Sequence, residues 1–284
     1  MRTQLRILAS IILTLAIVVS GCASKPQPTE GKIRIMVSIL PQAYFVKRIG
    51  GDKVEVTVMV PPGANPATYE PTASQMKALV QAKMYVRIRV PFEYAWMDRI
   101  AAANRHMLIV DSTEGIERIG GKNPHIWLSP RLVKIQVENI YAGLLQIDPA
   151  NKDFYARNKE EFLKELDALD KELAETLAGV KGGRFMVFHP AWSYFARDYG
   201  LEQIPIEIEG KEPSAAELAR LIEMAKTNGI KVIFVQPQFS SKSAEAIAQQ
   251  IGGKVVSIDP LAGDWANNLR NVAQTFAQAL SEES

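Results

Sequence analysis

Along the first half of the chain, short runs of β-branched residues alternate with stretches in which apolar positions recur every three or four residues. Apolar runs bounded by Gly or Pro are typical of strands, and the wider spacing is typical of helices. The elements predicted in this way are strand 33–40, helix 43–49, strand 54–60, helix 72–82, strand 84–90, helix 94–103 and strand 107–110. Strands that alternate with helices predict a parallel sheet with helices on its faces.

The pattern changes over residues 150–180, where charged residues fill most positions and a single apolar stripe is left. The members of the stripe, spaced at helical intervals, are Phe154, Phe162, Leu166, Leu169, Leu173 and Leu177. They predict one long amphipathic helix, about 45 Å in length if the whole segment is helical. Such a helix serves either as a free coiled-coil arm or as a rigid backbone packed along two lobes, and the stripe is compatible with both.

The alternation of strands and helices resumes after residue 182 and predicts a second lobe. Its elements are strand 185–188, a helix from Ala191, strand 203–208, helix 215–228, strand 231–235, helix 242–251, strand 254–258 and a last helix from about Trp265. The prediction is an α/β protein with mainly parallel sheets in an N-terminal lobe (32–148) and a C-terminal lobe (182–284), joined by one long helix (149–181). A ligand is expected in the cleft between the lobes, where the strand ends of both sheets converge.

The first 22 residues have the layout of a secretory signal. A basic start is followed by the apolar run 7–19 and by small residues up to Cys22, the only cysteine of the chain. The run is too short to span a bilayer. Because the residues before Cys22 match the bacterial lipobox, we expect lipidation of Cys22, the alternative being a free thiol. Residues 23–31 are polar and contain prolines, which predicts a flexible tether to an extracytoplasmic, membrane-anchored domain.

The charge of the chain excludes some functions. The net charge is +2 over 284 residues, and no cluster of Lys and Arg is interleaved with aromatic residues. Nucleic acid is therefore not an expected partner. The sequence contains no Walker motif, so any ATP-driven step would need another protein.

Three side chains of metal-ligand type lie in loops that contain proline. His125 lies in NPHIWLSP (123–130), His189 follows the strand predicted at 185–188, and Asp259 follows the strand at 254–258. Zinc binds imidazole nitrogen and carboxylate oxygen in a tetrahedral shell. The same side chains are common as helix caps and loop hydrogen-bonding groups, so their positions alone leave both interpretations open. His106 precedes a strand and is interpreted as a surface or structural histidine.

Other residues near these strand ends have weaker patterns. Glu207 and Glu209 alternate at the end of a predicted strand, which favours solvated charges at a strand edge. Gln236 and Gln238 follow a strand of the second lobe, where a side-chain amide could orient a metal ligand. Four aromatic residues beside the candidate ligands are interpreted as plain core: Trp127, Trp192, Tyr194 and Phe195.

Several separated segments give the chain a specific resemblance to a known family. They are SILP (38–41), VPPGANPATYEPT (60–72), NPHIWLSP (123–130), FHPAWSYFA (188–196) and IDPL (258–261). The chain resembles the TroA-like substrate-binding lipoproteins of zinc and manganese ABC transporters over essentially its whole mature length. The resemblance implies two α/β lobes joined by a long helix, with little hinge motion and one metal ion in the cleft.

By this resemblance the chain captures a divalent metal ion and delivers it to a membrane permease driven by a cytoplasmic ATPase, and it is not an enzyme. His125, His189 and Asp259 correspond to three of the family's four metal ligands. A histidine at position 189, where manganese-selective relatives usually have Glu, indicates zinc as the cargo, with manganese as the alternative. A monomer is expected.

Two positions depart from the family pattern. Ala67 stands where similar members have His, and a methyl group cannot bind a metal. Arg89 stands where relatives commonly have Gly, and its charge would repel a cation unless it points away or pairs with a carboxylate. Three outcomes are open: three protein ligands with a water, recruitment of a carboxylate such as Glu70 or Glu207, or loss of the metal. In the last case the fold would serve another ligand, or the protein would act as an adhesin or accessory lipoprotein.

Overall fold

The computed structural model describes residues 31–208 and 210–281. Lys32 begins a compact unit that contains all the elements given below. The signal segment 1–22 with Cys22, and the tether 23–31 apart from its last residue, lie outside the described residues. Lipidation and the tether therefore stay predictions.

Four parallel strands form the sheet of the N-terminal lobe. The elements of this lobe are β1 (Ile33–Val37), α1 (Leu40–Gly50), β2 (Val54–Val58), α2 (Ala73–Leu79), β3 (Met84–Arg87), α3 (Pro91–Ala103) and β4 (Leu108–Asp111). The strand order is β2-β1-β3-β4, and every neighbouring pair is parallel. The central strands are buried on both faces, because helices cover both sides of the sheet: Ile35 and Met84 are buried on one face, and their neighbours Met36 and Tyr85 on the other.

The C-terminal lobe repeats this arrangement. Its elements are β5 (Arg184–Val187), α6 (Ser193–Tyr199), β6 (Glu202–Pro205), α7 (Ala215–Thr227), β7 (Val232–Val235), α8 (Lys242–Ile251), β8 (Lys254–Ser257) and α9 (Trp265–Ser281). The strand order is β6-β5-β7-β8, again parallel throughout. From β5 the chain continues to β6 on one side of β5 and then crosses to β7 on the other side. This change of side creates a crevice at the carboxyl ends of β5 and β7. The predicted α/β architecture of two lobes is confirmed.

Two helices connect the sheets, α4 (Pro130–Ile147) and α5 (Lys152–Thr176). The helix predicted over 149–181 is the 25-residue helix α5, flanked by short 3-10 turns at 149–151 and 178–180. The sequence patterns assign no element to α4. Its first turn is stabilised by Ser129, whose Oγ accepts the N–H of Leu132 at 3.2 Å, and by Pro130 at the start of the helix.

The connecting helix α5 contacts both lobes. Its Phe162 ring lies 5.9 Å from the ring of Tyr44 and 6.2 Å from that of Phe45 on α1. Its Glu172 accepts a hydrogen bond of 2.8 Å from Arg270 on α9. The helix is therefore a packed backbone and not a free arm. In the described part of the chain, neither α5 nor any other helix is long and apolar enough to cross a membrane.

The strand predicted at 203–208 is shorter in the structure, and the difference affects the cleft. The strand β6 ends at Pro205, and the chain then bends toward β5. The N–H of Glu207 donates to the carbonyl of Phe188 at 3.0 Å. This bend places Glu207 beside the residue that follows Phe188, which is His189.

Candidate metal site

A cavity of about 150 Å³ lies between the two sheets, at the carboxyl ends of their strands. Its walls come from the loops after six strands: Asn65, Pro66 and Ala67 after β2, Val90 and Pro91 after β3, Pro124, His125 and Trp127 after β4, His189 after β5, Gln238 and Phe239 after β7, and Pro260 and Leu261 after β8. Most of this lining is apolar. The cavity occupies the position in which α/β sheets commonly bind ligands.

His125 is oriented by Asn123, two residues earlier. Asn123 Oδ1 accepts the backbone N–H of His125 at 3.1 Å and lies 2.8 Å from its ring Nδ1. Because a backbone N–H can only donate, the Asn123 atom that meets it is the oxygen, and Nδ1 must carry the ring proton. Burial, and next the neighbouring His189, hold the pKa of His125 well below its ordinary value. The ring is therefore neutral, with its lone pair on Nε2.

His189 is held at both its backbone and its ring. Gln236, from the loop after the neighbouring strand β7, accepts the N–H of His189 at 3.1 Å and donates to its carbonyl at 2.6 Å. The ring Nδ1 donates to Glu207 Oε1 at 2.9 Å, and Phe239 stacks on the ring with centroids 4.7 Å apart. The carboxylate favours a proton on Nδ1, which leaves Nε2 as the nitrogen that would offer its lone pair to a metal ion.

The two Nε2 atoms, of His125 and His189, are 3.2 Å apart. A hydrogen bond between them needs a proton on one Nε2 in addition to the protons that face Asn123 and Glu207 on the Nδ1 atoms. With both rings neutral, each Nε2 instead carries a lone pair. Two nitrogens bound to one tetrahedral zinc at about 2.0–2.1 Å lie about 3.3–3.4 Å apart. The two lone pairs are therefore spaced as two corners of a zinc coordination shell.

The loop that carries His125 is hydrogen-bonded to the C-terminal lobe, although it precedes α4 in the chain. Trp127 Nε1 donates at 2.6 Å to a carbonyl in the loop after β8, and Trp265 Nε1 donates to the carbonyl of Trp127 at 2.7 Å. The hydroxyl of Tyr194 donates to the carbonyl of Asn123 at 2.9 Å. Trp127 and Tyr194 are buried as predicted. Their hydrogen bonds also hold the loop that positions His125 relative to His189.

Asp259 follows β8 at the same edge of the C-terminal sheet as His189, but its carboxylate is engaged within its own lobe. Its Oδ1 accepts from Gln238 Nε2 at 2.8 Å and from the N–H of Leu261 at 2.9 Å. Among residues 31–208 and 210–281, no group of three or more His, Cys, Asp or Glu side chains is arranged to hold a metal ion. The structure thus brings His125 and His189 together and leaves Asp259 outside this pair. Its role as a ligand stays a prediction.

The remaining positions singled out in the sequence lie in different surroundings. Ala67 lines the cavity, whereas Glu70 is exposed and is not among the described residues that line it. Glu207 is only 8% exposed and bonds His189, so the interpretation of solvated strand-edge charge is wrong for this residue. Glu209 lies outside the described residues. His106 is exposed, as interpreted.

Arg89 pairs with a carboxylate and does not line the cavity among the described residues. Its Nε donates to Asp111 Oδ2 at 2.7 Å, and its backbone N–H donates to Glu93 Oε2 at 2.8 Å. The φ angle of Arg89 is 58°, in the left-handed region that favours glycine. This conformation gives a backbone reason for the glycine expected at this position, separate from any effect on a metal.

Replacing Arg89 with Gly should leave zinc binding unchanged. The substitution relieves about 1–2 kcal/mol of backbone strain and removes a partly exposed ion pair worth about 0–1 kcal/mol. We expect Arg89→Gly to keep the free energy of unfolding at or slightly above the parent value, in urea denaturation, and zinc affinity within about twofold, because the paired charge adds little repulsion. A large gain in zinc affinity would instead show that the guanidinium reaches the cation.

Two residues at the site were given no role in the sequence analysis. Asn123 sets the proton position of His125, and the signal for it was an Asn that precedes a candidate ligand by two residues, a spacing typical of turns closed by a side chain. Phe239 stacks on His189, and no local pattern distinguishes it from a core aromatic residue.

Comparison with known proteins identifies relatives over nearly the whole described chain. A family model described as zinc-uptake complex component A, periplasmic, matches residues 35–279. The high-affinity zinc uptake system protein ZnuA of Bacillus subtilis (strain 168) is 30% identical over 279 residues, which cover 90% of this chain and 87% of the relative.

Solved structures have the same fold. A crystal structure of ZnuA superimposes with a TM-score of 0.86 at 49% identity, covering 88% of this chain and 99% of that one. The laminin-binding protein Lmb of Streptococcus agalactiae, described as a bifunctional protein with adhesin and metal transporting activity, superimposes with a TM-score of 0.79 at 27% identity. That match covers 88% of this chain and 99% of the relative.

Proposed function

Because the chain belongs to the family of periplasmic zinc-uptake complex component A, we propose that its cargo is a zinc ion bound between His125 and His189. The protein is an extracytoplasmic, metal-binding component of an ABC uptake system and not an enzyme. A system of this kind includes a membrane permease and an ATPase, which receive the metal from the binding protein.

The observation that carries the proposal is the pair of Nε2 atoms 3.2 Å apart. Each ring has its other nitrogen occupied by an oxygen acceptor, Asn123 Oδ1 or Glu207 Oε1. A neutral imidazole whose N–H is held by an oxygen acceptor is an oriented metal ligand with raised basicity. The pair supports zinc over manganese, because imidazole suits zinc and manganese prefers oxygen ligands.

Asp259 is the proposed third ligand. Both hydrogen bonds that the structure gives its carboxylate end on Oδ1, so Oδ2 is the oxygen it would offer to the ion. Binding then requires the loop after β8 to adjust toward the two histidines. Glu207 acts as the partner of His189 and not as a replacement ligand, since its Oε1 already accepts from the ring.

The anchoring of the protein follows from its first residues. Lipidation at Cys22 would hold the two lobes near the membrane on the tether 23–31, within reach of the permease, and the protein acts as a monomer. A second function is favoured by one relative, since Lmb is described as an adhesin as well as a metal transporter.

Thermal unfolding with added metal tests the proposal. The purified protein is stripped with a chelator and then titrated with zinc or manganese while its melting temperature is followed. A ligand that binds only the folded state stabilises it by about 2.7 kcal/mol at a concentration 100 times its Kd. We expect zinc to raise the melting temperature more than manganese does, reversibly on addition of EDTA. No shift with either metal up to ~100 µM would refute metal transport as the function.

A further inference from the structure

Arg89 has a strained backbone in the loop that forms one wall of the metal cavity. In the described part of the chain it is the only residue other than glycine with a positive φ angle, a conformation that glycine adopts without strain. The next two residues, Val90 and Pro91, line the cavity. Strained residues of this kind cluster at sites that bind ligands or partners. The strain therefore directs attention to what the Arg89 side chain can bind.

The guanidinium of Arg89 is the outermost group of a small cluster of charges. The side chain of Glu93 is fully buried, those of Asp111 and Arg87 are 20% and 25% exposed, and that of Arg89 is 43% exposed. Arg89 Nε donates to Asp111 Oδ2 at 2.7 Å, but its two Nη atoms donate to no other described residue. The two acidic and two basic groups balance each other, so the cluster presents to solvent the free end of a guanidinium, which is suited to a carboxylate.

An exposed aromatic ring lies beside this guanidinium. Tyr94, in the first turn of α3, is 64% exposed, the largest fraction for any large apolar side chain among the described residues. The pKa of Arg89 is raised first by Asp111 and to a smaller extent by Tyr94, which places the phenol near the guanidinium. Arg and Tyr are enriched among the residues that contribute most to protein–protein binding. Together with the exposed Pro91, they form a surface, the rim surface, that is continuous with the cavity wall.

We propose that the rim surface, formed by Arg89, Pro91 and Tyr94, docks the membrane permease, and that Arg89 binds a carboxylate on an extracytoplasmic loop of the permease. The inference rests on the proposed function, because it assumes that the bound metal is passed on. The position of the surface favours the permease as its occupant, since Pro91 belongs both to this surface and to the wall of the cavity that the metal leaves.

Proteoliposomes that contain the permease and ATPase of the same uptake system, with ATP enclosed, test the proposal. Zinc-loaded parent or variant protein is added at increasing concentration, and zinc uptake into the vesicles is measured. We expect Arg89→Gly to raise the concentration that gives half-maximal uptake about tenfold, through loss of one charged hydrogen-bonded pair. Tyr94→Ala should raise it by a similar factor. Zinc affinity, which also verifies folding, and maximal uptake should match the parent in both variants.

Arg184→Ala is the matched control. The side chain of Arg184 is 51% exposed and also pairs through Nε with one carboxylate, that of Glu202, at 2.6 Å. Arg184 begins β5, so it lies at the edge of the sheet opposite the cavity. Its half-maximal concentration should stay within about twofold of the parent value, because an exposed residue away from the docking surface has little effect.

Three results would contradict the inference in different ways. An unchanged half-maximal concentration in Arg89→Gly would overturn it and leave the zinc function standing. Binding of the parent to the same vesicles without permease, lost in Arg89→Gly, would assign the guanidinium to lipid phosphate and overturn it as well. A parent protein that binds zinc but gives no uptake at any concentration would refute the proposed function itself.

Discussion

Replacing His125 with Ala is expected to lower the zinc affinity of the protein at least about 100-fold. Removal of a group that only orients a metal ligand commonly costs 10–100-fold in affinity, so loss of the ligand itself should cost no less. The same loss is expected for His189→Ala, since both Nε2 atoms face the same point. The affinity is measured by competition with a chromophoric chelator of known Kd.

His106→Ala is the matched control for these variants. His106 is exposed and does not line the cavity among the described residues, so its replacement removes the same kind of side chain without affecting the site. Its zinc affinity should equal that of the parent within about twofold, because an exposed residue away from the site has little effect. Equal losses in the three variants would mean that zinc binds nonspecifically to surface imidazoles, and unchanged affinity in all three would remove the histidine pair from the site.

Replacing Ala67 with His is expected to raise zinc affinity by about 100-fold, the reverse of losing one ligand. Ala67 lies on the wall of the cavity that contains both histidines, so an imidazole there can occupy the open coordination position. The gain is measured by the same chelator competition. It should disappear in the double variant with His125→Ala, which lacks one of the two converging rings. A variant that folds like the parent but shows no gain in zinc affinity would indicate that the loop after β2 cannot approach the histidines.

The sequence predicted the fold well because its signals are local. The stripe that includes Phe162 and Leu169 repeats at helical spacing, and these residues form the buried face of α5. The β-branched runs form the strands, although the run after residue 203 stops at Pro205 because the chain bends toward β5. The sequence analysis assigns no helix to α4, although its buried residues Val133, Val137, Ile140 and Leu144 recur at helical spacing.

The candidate site was predictable only in part, because its geometry depends on contacts far apart in the chain. A histidine directly after a strand is visible in the sequence, and His189 was found in this way. The burial of Glu207 depends on a bend that packs it against β5, and its local pattern indicated the opposite. The orientation of Gln238 depends on Asp259, 21 residues later, and no local spacing encodes it.

The resemblance to known proteins added ligand positions but left the departures unexplained. It identified Ala67 as a lost ligand, and the structure places this residue on the cavity wall. It also raised a conflict between Arg89 and a bound cation. The pairing of Arg89 with Asp111 removes that conflict, and this contact does not follow from spacing along the chain.

Anomalous diffraction from crystals of the zinc-loaded protein, recorded on both sides of the zinc absorption edge, tests the proposed site most directly. We expect one strong peak about 2.0–2.1 Å from the Nε2 atoms of both His125 and His189. A zinc peak bound to only one of these rings, or located outside the cleft while the two Nε2 atoms stay in contact with each other, would contradict it.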